Sequence, residues 1–258
     1  MTAREAAVTG AVTGDWLRQY APAAAGAPTL VAFPHAGGTA AFFLPLARAL
    51  SPDIRVLAVQ YPGRQDRVAE APAGDVRDLA RRAAEAVAEQ GGPGPVVFFG
   101  HSMGALVAFE AALLGERGQG VAPVALIASG GRAPTLNRVD PALLHSDSAL
   151  VEEVLLLGGT ASAVLENEEL REMVLPPLRA DYRALWAYLP DPAARVACPV
   201  TVLVGDRDPM VTPAEARRWR NHAAGRFALR VLPGGHFYLT SRLPDVVATV
   251  RAVLDPLV

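Results

Sequence analysis

Five residues, Gly100-His101-Ser102-Met103-Gly104, constrain this chain more than any others because of what flanks them. Before them stands Val96-Val97-Phe98-Phe99, two β-branched and two aromatic residues in a row. That is the pattern of a short strand buried on both faces. After them, Ala105 to Ala111 reads as a helix. Strand, G-x-S-x-G turn and helix in that order are the context of a nucleophile elbow. The chain must reverse within about five residues, which strains the serine backbone. Glycine at 100 and 104 lets the helix close on the strand behind it, because no β-carbon intervenes. The Ser102 hydroxyl then projects above the sheet, and the Met103 amide, at the helix N-terminus, can point at an oxyanion. The plainer alternative is that Ser102 only caps the helix.

Composition narrows the class. The chain has 258 residues, 51% hydrophobic and 19% charged, which suits one large buried core. A net charge of −2 gives no reason to expect nucleic acid or a membrane surface as partner. The single cysteine, Cys198, rules out a disulfide framework and a cysteine cluster for metal. No apolar run approaches the ~20 residues of a membrane helix. Residues 1–14 lack a cationic segment followed by an apolar one. The expectation is a cytoplasmic protein and a monomer.

Taken in order, 1–27 are rich in Ala, Gly, Thr and Pro, with Trp16, Leu17 and Tyr20 as the only anchors. Six strands are expected over 29–33, 54–59, 96–99, 124–129, 200–204 and 227–232. Helices are expected over 42–50, 76–90, after the elbow, and 244–254. Strands alternating with helices imply a parallel sheet with ligands at its carboxyl end. One domain, 1–258, is expected. Residues 132–196 interrupt the alternation with no strand signal. Helices are expected there over 148–157 and 167–189, with a break at Gly158-Gly159 and a kink at Pro176-Pro177. This insertion reads as a lid. Its apolar residues, among them Leu150, Val154, Leu155, Val174, Leu178, Leu185 and Trp186, either pack it onto the body or line an acyl tunnel.

A serine nucleophile needs a base, and the base an orienting acid. Of five histidines, His101 lies inside the elbow, His145 in the lid and His222 near the end of a polar helix. His236 follows the sixth strand in a loop whose Gly234 and Gly235 free the backbone to aim the ring inward. It is the expected base. In the fold that carries this elbow the acid falls between serine and histidine along the chain. Asp206 and Asp208 after the fifth strand both compete; Asp208 is favoured, with Asp206 read as a turn former. The second oxyanion donor is expected from the loop after the first strand, where Ala36 precedes Gly37 and Gly38. His35 then braces that loop.

Together these residues resemble the type II thioesterases of polyketide and nonribosomal peptide synthesis. The resemblance rests on Phe33-Pro34-His35-Ala36-Gly37-Gly38, Tyr61-Pro62-Gly63-Arg64 and Gly100-His101-Ser102-Met103-Gly104. It extends through Leu157-Gly158-Gly159-Thr160, Leu175 to Tyr182, Gly205-Asp206-Arg207-Asp208, Trp219 and Gly234-Gly235-His236-Phe237. It implies an α/β-hydrolase fold with helices on both faces of a mostly parallel sheet and a helical lid. It also implies Ser102 as nucleophile, His236 as base, Asp208 as its partner, and Ala36 and Met103 as oxyanion amides. His35, Leu150, Val154, Leu178, Trp186 and Phe237 are expected to meet substrate. No metal or cofactor of its own is implied, since the phosphopantetheine arm belongs to an acyl or peptidyl carrier protein. Arg64, Arg67, Arg132 and Arg138 are candidates for meeting that acidic carrier, or are solvated surface. A small-ester carboxylesterase or lipase, or a non-catalytic binding protein on the same fold, are the rival readings.

Overall fold

The computed structural model describes residues 11–13, 15–90, 92, 94–158 and 168–255. Its centre is an eight-stranded sheet. The six expected strands are present: β3 (Thr29–Phe33), β4 (Arg55–Val59), β5 (Val96–His101), β6 (Ala125–Ser129), β7 (Val200–Gly205) and β8 (Phe227–Leu232). All six run parallel in the order β4-β3-β5-β6-β7-β8. Two short strands, β1 (Ala11–Thr13) and β2 (Leu17–Gln19), were not expected from the sequence. They add antiparallel to the β4 edge, with Leu17 opposite Val59. Three residues carry no readable alternation, so pairing and the burial of Leu17, not local pattern, make them strands.

The continuous apolar runs follow from burial on both faces. Phe98 packs on one face beneath α2 (Val76–Gln90) and α3 (Met103–Glu116), with Leu79, Ala83 and Phe109. Val97 and Phe99 pack on the other, beneath α1 (Leu44–Leu50) and the last helix, Leu243–Leu254, with Leu50, Val246 and Val250.

Between β6 and β7 stand the lid helices, α4 (Asp147–Leu157) and α5 (Glu168–Ala187). Gly158 ends α4 in the left-handed region, φ 70°. Gly159, Thr160 and Asn167 lie outside the described residues. At Pro176-Pro177, where a kink is expected, the helix does not end: α5 continues through both prolines over its 20 residues. Leu150, Val154, Leu175, Leu178 and Tyr182 form a small core of their own, against which Ala36 of the body is packed. Among the described residues no helix is long and apolar enough to cross a membrane.

Candidate active site

The elbow forms as its residue types require. Ser102 sits between β5 and α3 at φ 55° and ψ −118°. Such a conformation costs a non-glycine residue on the order of 1–3 kcal/mol and persists only where the surroundings enforce it. They do so here by close approach. A β-carbon on Gly100 would lie 2.1 Å from the Gly104 carbonyl oxygen, and one on Gly104 would lie 2.0 Å from that of Phe33. The Ser102 amide donates to the Ser129 carbonyl at 2.8 Å. Its side chain accepts no capping hydrogen bond, so the hydroxyl is not occupied with the helix. As the first residue of α3, Met103 has an amide with no acceptor within the helix.

His236 is 1% exposed, and its Nδ1 lies 2.9 Å from Asp208 Oδ2. An ionised carboxylate can only accept, so Nδ1 carries the proton and Nε2 is left basic. Asp208 is itself held: its Oδ1 accepts from the amides of Met210 (2.8 Å) and Val211 (3.3 Å). Asp206 does something different. It is exposed, its Oδ1 accepts from the Gly234 amide at 2.8 Å, and its own amide donates to the Leu232 carbonyl. It thus ties the acid loop to the histidine loop without touching the imidazole.

In the loop after β3, the Gly38 amide donates to the His35 carbonyl and the Gly37 amide to Asp181 Oδ2 at 2.7 Å. The Ala36 amide makes no hydrogen bond among the described residues. The His35 ring packs edge-on against Phe42 (4.7 Å) and Phe237 (4.8 Å). Burial, reinforced by His236 and Arg64, pushes its pKa down to about 3, so it stays neutral. Burial likewise drives His101 well below the usual range, with His236 and His35 adding to the effect. Its Nδ1 shares a 3.0 Å hydrogen bond with Ser129. His222 bonds Thr135 and the Ala194 carbonyl and plays no part here.

Two cavities meet at Ser102. The larger, about 420 Å³, runs past Met103, Arg132, Asn137, Arg138, Asp140, Glu153 and Met210. The smaller, about 40 Å³, is walled by Ala36, Val154, Val174, Leu178, His236 and Phe237, with His35 and Leu157 completing it. Tyr182 borders both. Val154, Leu178, His35 and Phe237 thus line the smaller cavity. Two expected wall residues do not. Leu150 is fully buried in the lid core and lines neither cavity. Trp186 is 56% exposed, because α5 turns that face away from the body. Leu157 and Tyr182 appeared in the sequence only within motifs; their placement at the cavity depends on how the lid helices pack.

The arginines also divide. Arg64 is 4% exposed and forms a bidentate pair with Asp181 (2.7 and 2.9 Å), so it cannot meet a carrier. Arg67 is buried against Glu70, with its guanidinium 4.6 Å from the Trp16 ring centre. Arg132 and Arg138 remain at the mouth of the larger cavity; Arg132 is half-buried, and Arg138 is exposed and paired with Glu215. Among the described residues, no cluster of three His, Cys, Asp or Glu could hold a metal ion.

Comparison with known proteins bears on this geometry. The thioesterase domain family matches residues 28–254. The chain is 45% identical to the probable cadicidin biosynthesis thioesterase of Streptomyces griseus, over 98% of this chain and 70% of that one. It is 44% identical to thioesterase PikA5 of Streptomyces venezuelae, over 91% of this chain and 83% of that one. Among solved structures it is similar to BorB, the type II thioesterase of the borrelidin biosynthetic cluster. The TM-score is 0.85 at 45% identity, covering 93% of this chain and 97% of BorB.

Proposed function

The chain belongs to the thioesterase family and is a hydrolase of thioesters, and from that premise we propose how and on what it acts. It is an editing enzyme of polyketide or nonribosomal peptide synthesis. It removes acyl groups from the phosphopantetheine arm of an acyl or peptidyl carrier protein, using Ser102, His236 and Asp208. The observation that carries the reading is the strained Ser102 at a cavity it shares with His236, whose other nitrogen is held by Asp208.

His236 Nε2 takes the Ser102 proton as Oγ attacks the thioester carbonyl. The tetrahedral oxyanion is received by the Ala36 and Met103 amides, each worth about 3 kcal/mol in such a site. The carbon–sulfur bond breaks, the pantetheine thiol leaves with the proton from His236, and an acyl-Ser102 ester remains. Water, deprotonated by the same imidazole, attacks that ester; the acid departs and Ser102 recovers its proton. The histidine can do this work because Asp208 fixes its tautomer. His35 and His101, held neutral, neither compete for the proton nor repel the imidazolium that forms.

The two cavities suit the two halves of the substrate. The larger and more polar one takes the pantetheine arm, with Arg132 and Arg138 at its rim facing an acidic carrier. The smaller takes the acyl chain. Its volume of about 40 Å³, against about 420 Å³ for the other, favours short acyl chains.

The test is hydrolysis of carrier proteins loaded with acyl groups from acetyl to long chains. Wild type should turn over thioesters far faster than matched oxygen esters, short chains first. Ser102→Ala should remain folded and lose turnover and labelling by a fluorophosphonate. A Ser102→Ala enzyme within tenfold of wild type would remove Ser102 from the mechanism.

A further inference from the structure

The buried pair Arg64–Asp181 lies outside the triad and touches neither cavity, yet it joins three segments distant in sequence. Asp181 belongs to lid helix α5 and is fully buried; Arg64 belongs to the loop after β4. Burying two charges is costly even when they are paired, and apolar residues of the same size often serve stability as well. A stability role alone therefore explains this pair poorly. What the pair touches is more informative. Asp181 Oδ2 accepts from the Gly37 amide at 2.7 Å, and Arg64 Nη1 donates to the Gly38 carbonyl at 3.2 Å. The pair thus holds the loop after β3 by one donor and one acceptor, immediately beyond Ala36. A second brace fixes Arg64 itself: Gln60 accepts from the Ala40 amide (2.8 Å) and donates to the Arg64 carbonyl (3.1 Å).

One turn before Asp181 on the same helix face stands Leu178. A β-carbon on Gly37, which has φ 71°, would lie 2.8 Å from Leu178 Cδ1. Helix α5 therefore meets the loop twice, through an apolar side chain and a carboxylate. If α5 moves away, the Gly37 amide loses its acceptor and Arg64 loses the carboxylate that aligns it with the Gly38 carbonyl.

We propose that Arg64 and Asp181 are positioning residues that latch the lid to the oxyanion loop, so that Ala36 presents its amide to the reacting carbonyl only while α5 is seated. The inference rests on the function proposed above, in which Ala36 is an oxyanion donor. It makes the lid a condition for catalysis as well as a cover. Substrate that seats α5 completes the site, and an empty open lid leaves Ser102 with one oxyanion donor.

The test uses a small acyl thioester, so that carrier docking plays no part. Asp181→Ala is expected to lower kcat by 30-fold or more while KM changes less than threefold. Asp181→Asn keeps an oxygen able to accept from Gly37 and is expected to recover much of that loss. Affinity for an acyl trifluoromethyl ketone should fall in parallel with kcat. Ser102 adds to this inhibitor's carbonyl, passes its proton to His236 and leaves an oxyanion in the hole. A folded Asp181→Ala enzyme with kcat within threefold of wild type, or an effect confined to KM, would overturn the latch.

Should Asp181→Ala fail to fold, wild type supplies a second test, because coupling is reciprocal. The trifluoromethyl ketone should slow amide hydrogen exchange both at 35–38 and across 178–185. Protection of the loop alone would overturn the latch. These results are separable from failure of the triad. An inert latch in an enzyme whose Ser102→Ala variant is dead sinks only this inference, whereas an active Ser102→Ala variant removes its premise.

Discussion

The sheet and the lid meet at Ser102 but are built on different terms. On the sheet, the proposed reacting groups follow the carboxyl ends of three strands, Ser102 after β5, Asp208 after β7 and His236 after β8, with β6 between the first two. Ser102 is held by a strained elbow and Asp208 by two backbone amides on its carboxylate, and Asp208 in turn holds His236. The lid divides: Leu150, Val154, Leu175, Leu178 and Tyr182 pack together in a small core of their own, while Ala184 and Leu185 at the end of α5 join the main core and Asp181 ties the helix to Arg64 and Gly37. The proposed chemistry sits at the strand ends, whereas Val154, Leu157, Val174, Leu178 and Tyr182 of the lid supply much of the wall of the smaller cavity. Altering a residue at the strand ends should therefore change whether the reaction occurs, and altering a lid residue that walls the smaller cavity should change what reacts. Asp181, tied to the loop after β3, is the lid residue that should act on the rate instead.

The sharpest way to break that division is at the two aspartates of the β7 loop. Asp208→Asn should reduce kcat on the order of 10³ to 10⁴-fold, because the amide no longer fixes the imidazole tautomer. Asp206→Asn, two residues away, should keep activity within threefold while slightly lowering Tm. Equal losses would mean that Asp206 is more than a loop tie.

A lid substitution should behave otherwise. Leu178→Ala enlarges the small chamber and should shift relative kcat/KM toward longer acyl chains by roughly tenfold, at a stability cost of about 2–4 kcal/mol. Acyl-chain profiles before and after would show it, and an unchanged profile would take the acyl chain out of that chamber.

His35 lies where the two regions touch and should show itself in pH dependence. Its folded pKa, about 3, is below the unfolded value near 6.5. Below pH 6.5 the unfolded chain takes a proton that the folded one refuses, so this contribution is present above 6.5 and is lost as pH falls toward 3. In that window His35→Gln should flatten the slope of stability against pH by about 1.4 kcal/mol per pH unit. The acid limb of kcat/KM should meanwhile carry a single proton, since His35 and His101 both remain neutral. The smallest effect belongs to the outer lid face: Trp186→Ser should leave kcat/KM on small thioesters and Tm nearly unchanged.

Much of the sheet was legible along the chain. Runs such as Val96 to Phe99 and Ala125 to Ala128 are apolar throughout because both faces are covered, and that pattern survives without knowledge of what covers them. The elbow and the histidine loop were legible because strain and close approach restrict residue types locally. The strands β1 and β2 were not, since three residues become a strand here only by pairing, β2 with β4 and β1 with β2. Leu150 and Trp186 looked like cavity residues because an apolar residue on a lid helix has the same signature whether it faces a ligand, a neighbouring helix or solvent. Arg64 looked like surface because nothing nearby in sequence announces a carboxylate 117 positions away.

The sequence by itself determined the parallel sheet, the turn that exposes Ser102, and the candidates for base and acid, because each depends on residue types within a few positions of one another. Only the tertiary structure decided which aspartate reaches His236, which lid side chains wall the two cavities, and that Arg64 meets Asp181 beside Gly37 and Gly38. Those outcomes depend on how distant segments pack in space, which no single segment's sequence encodes.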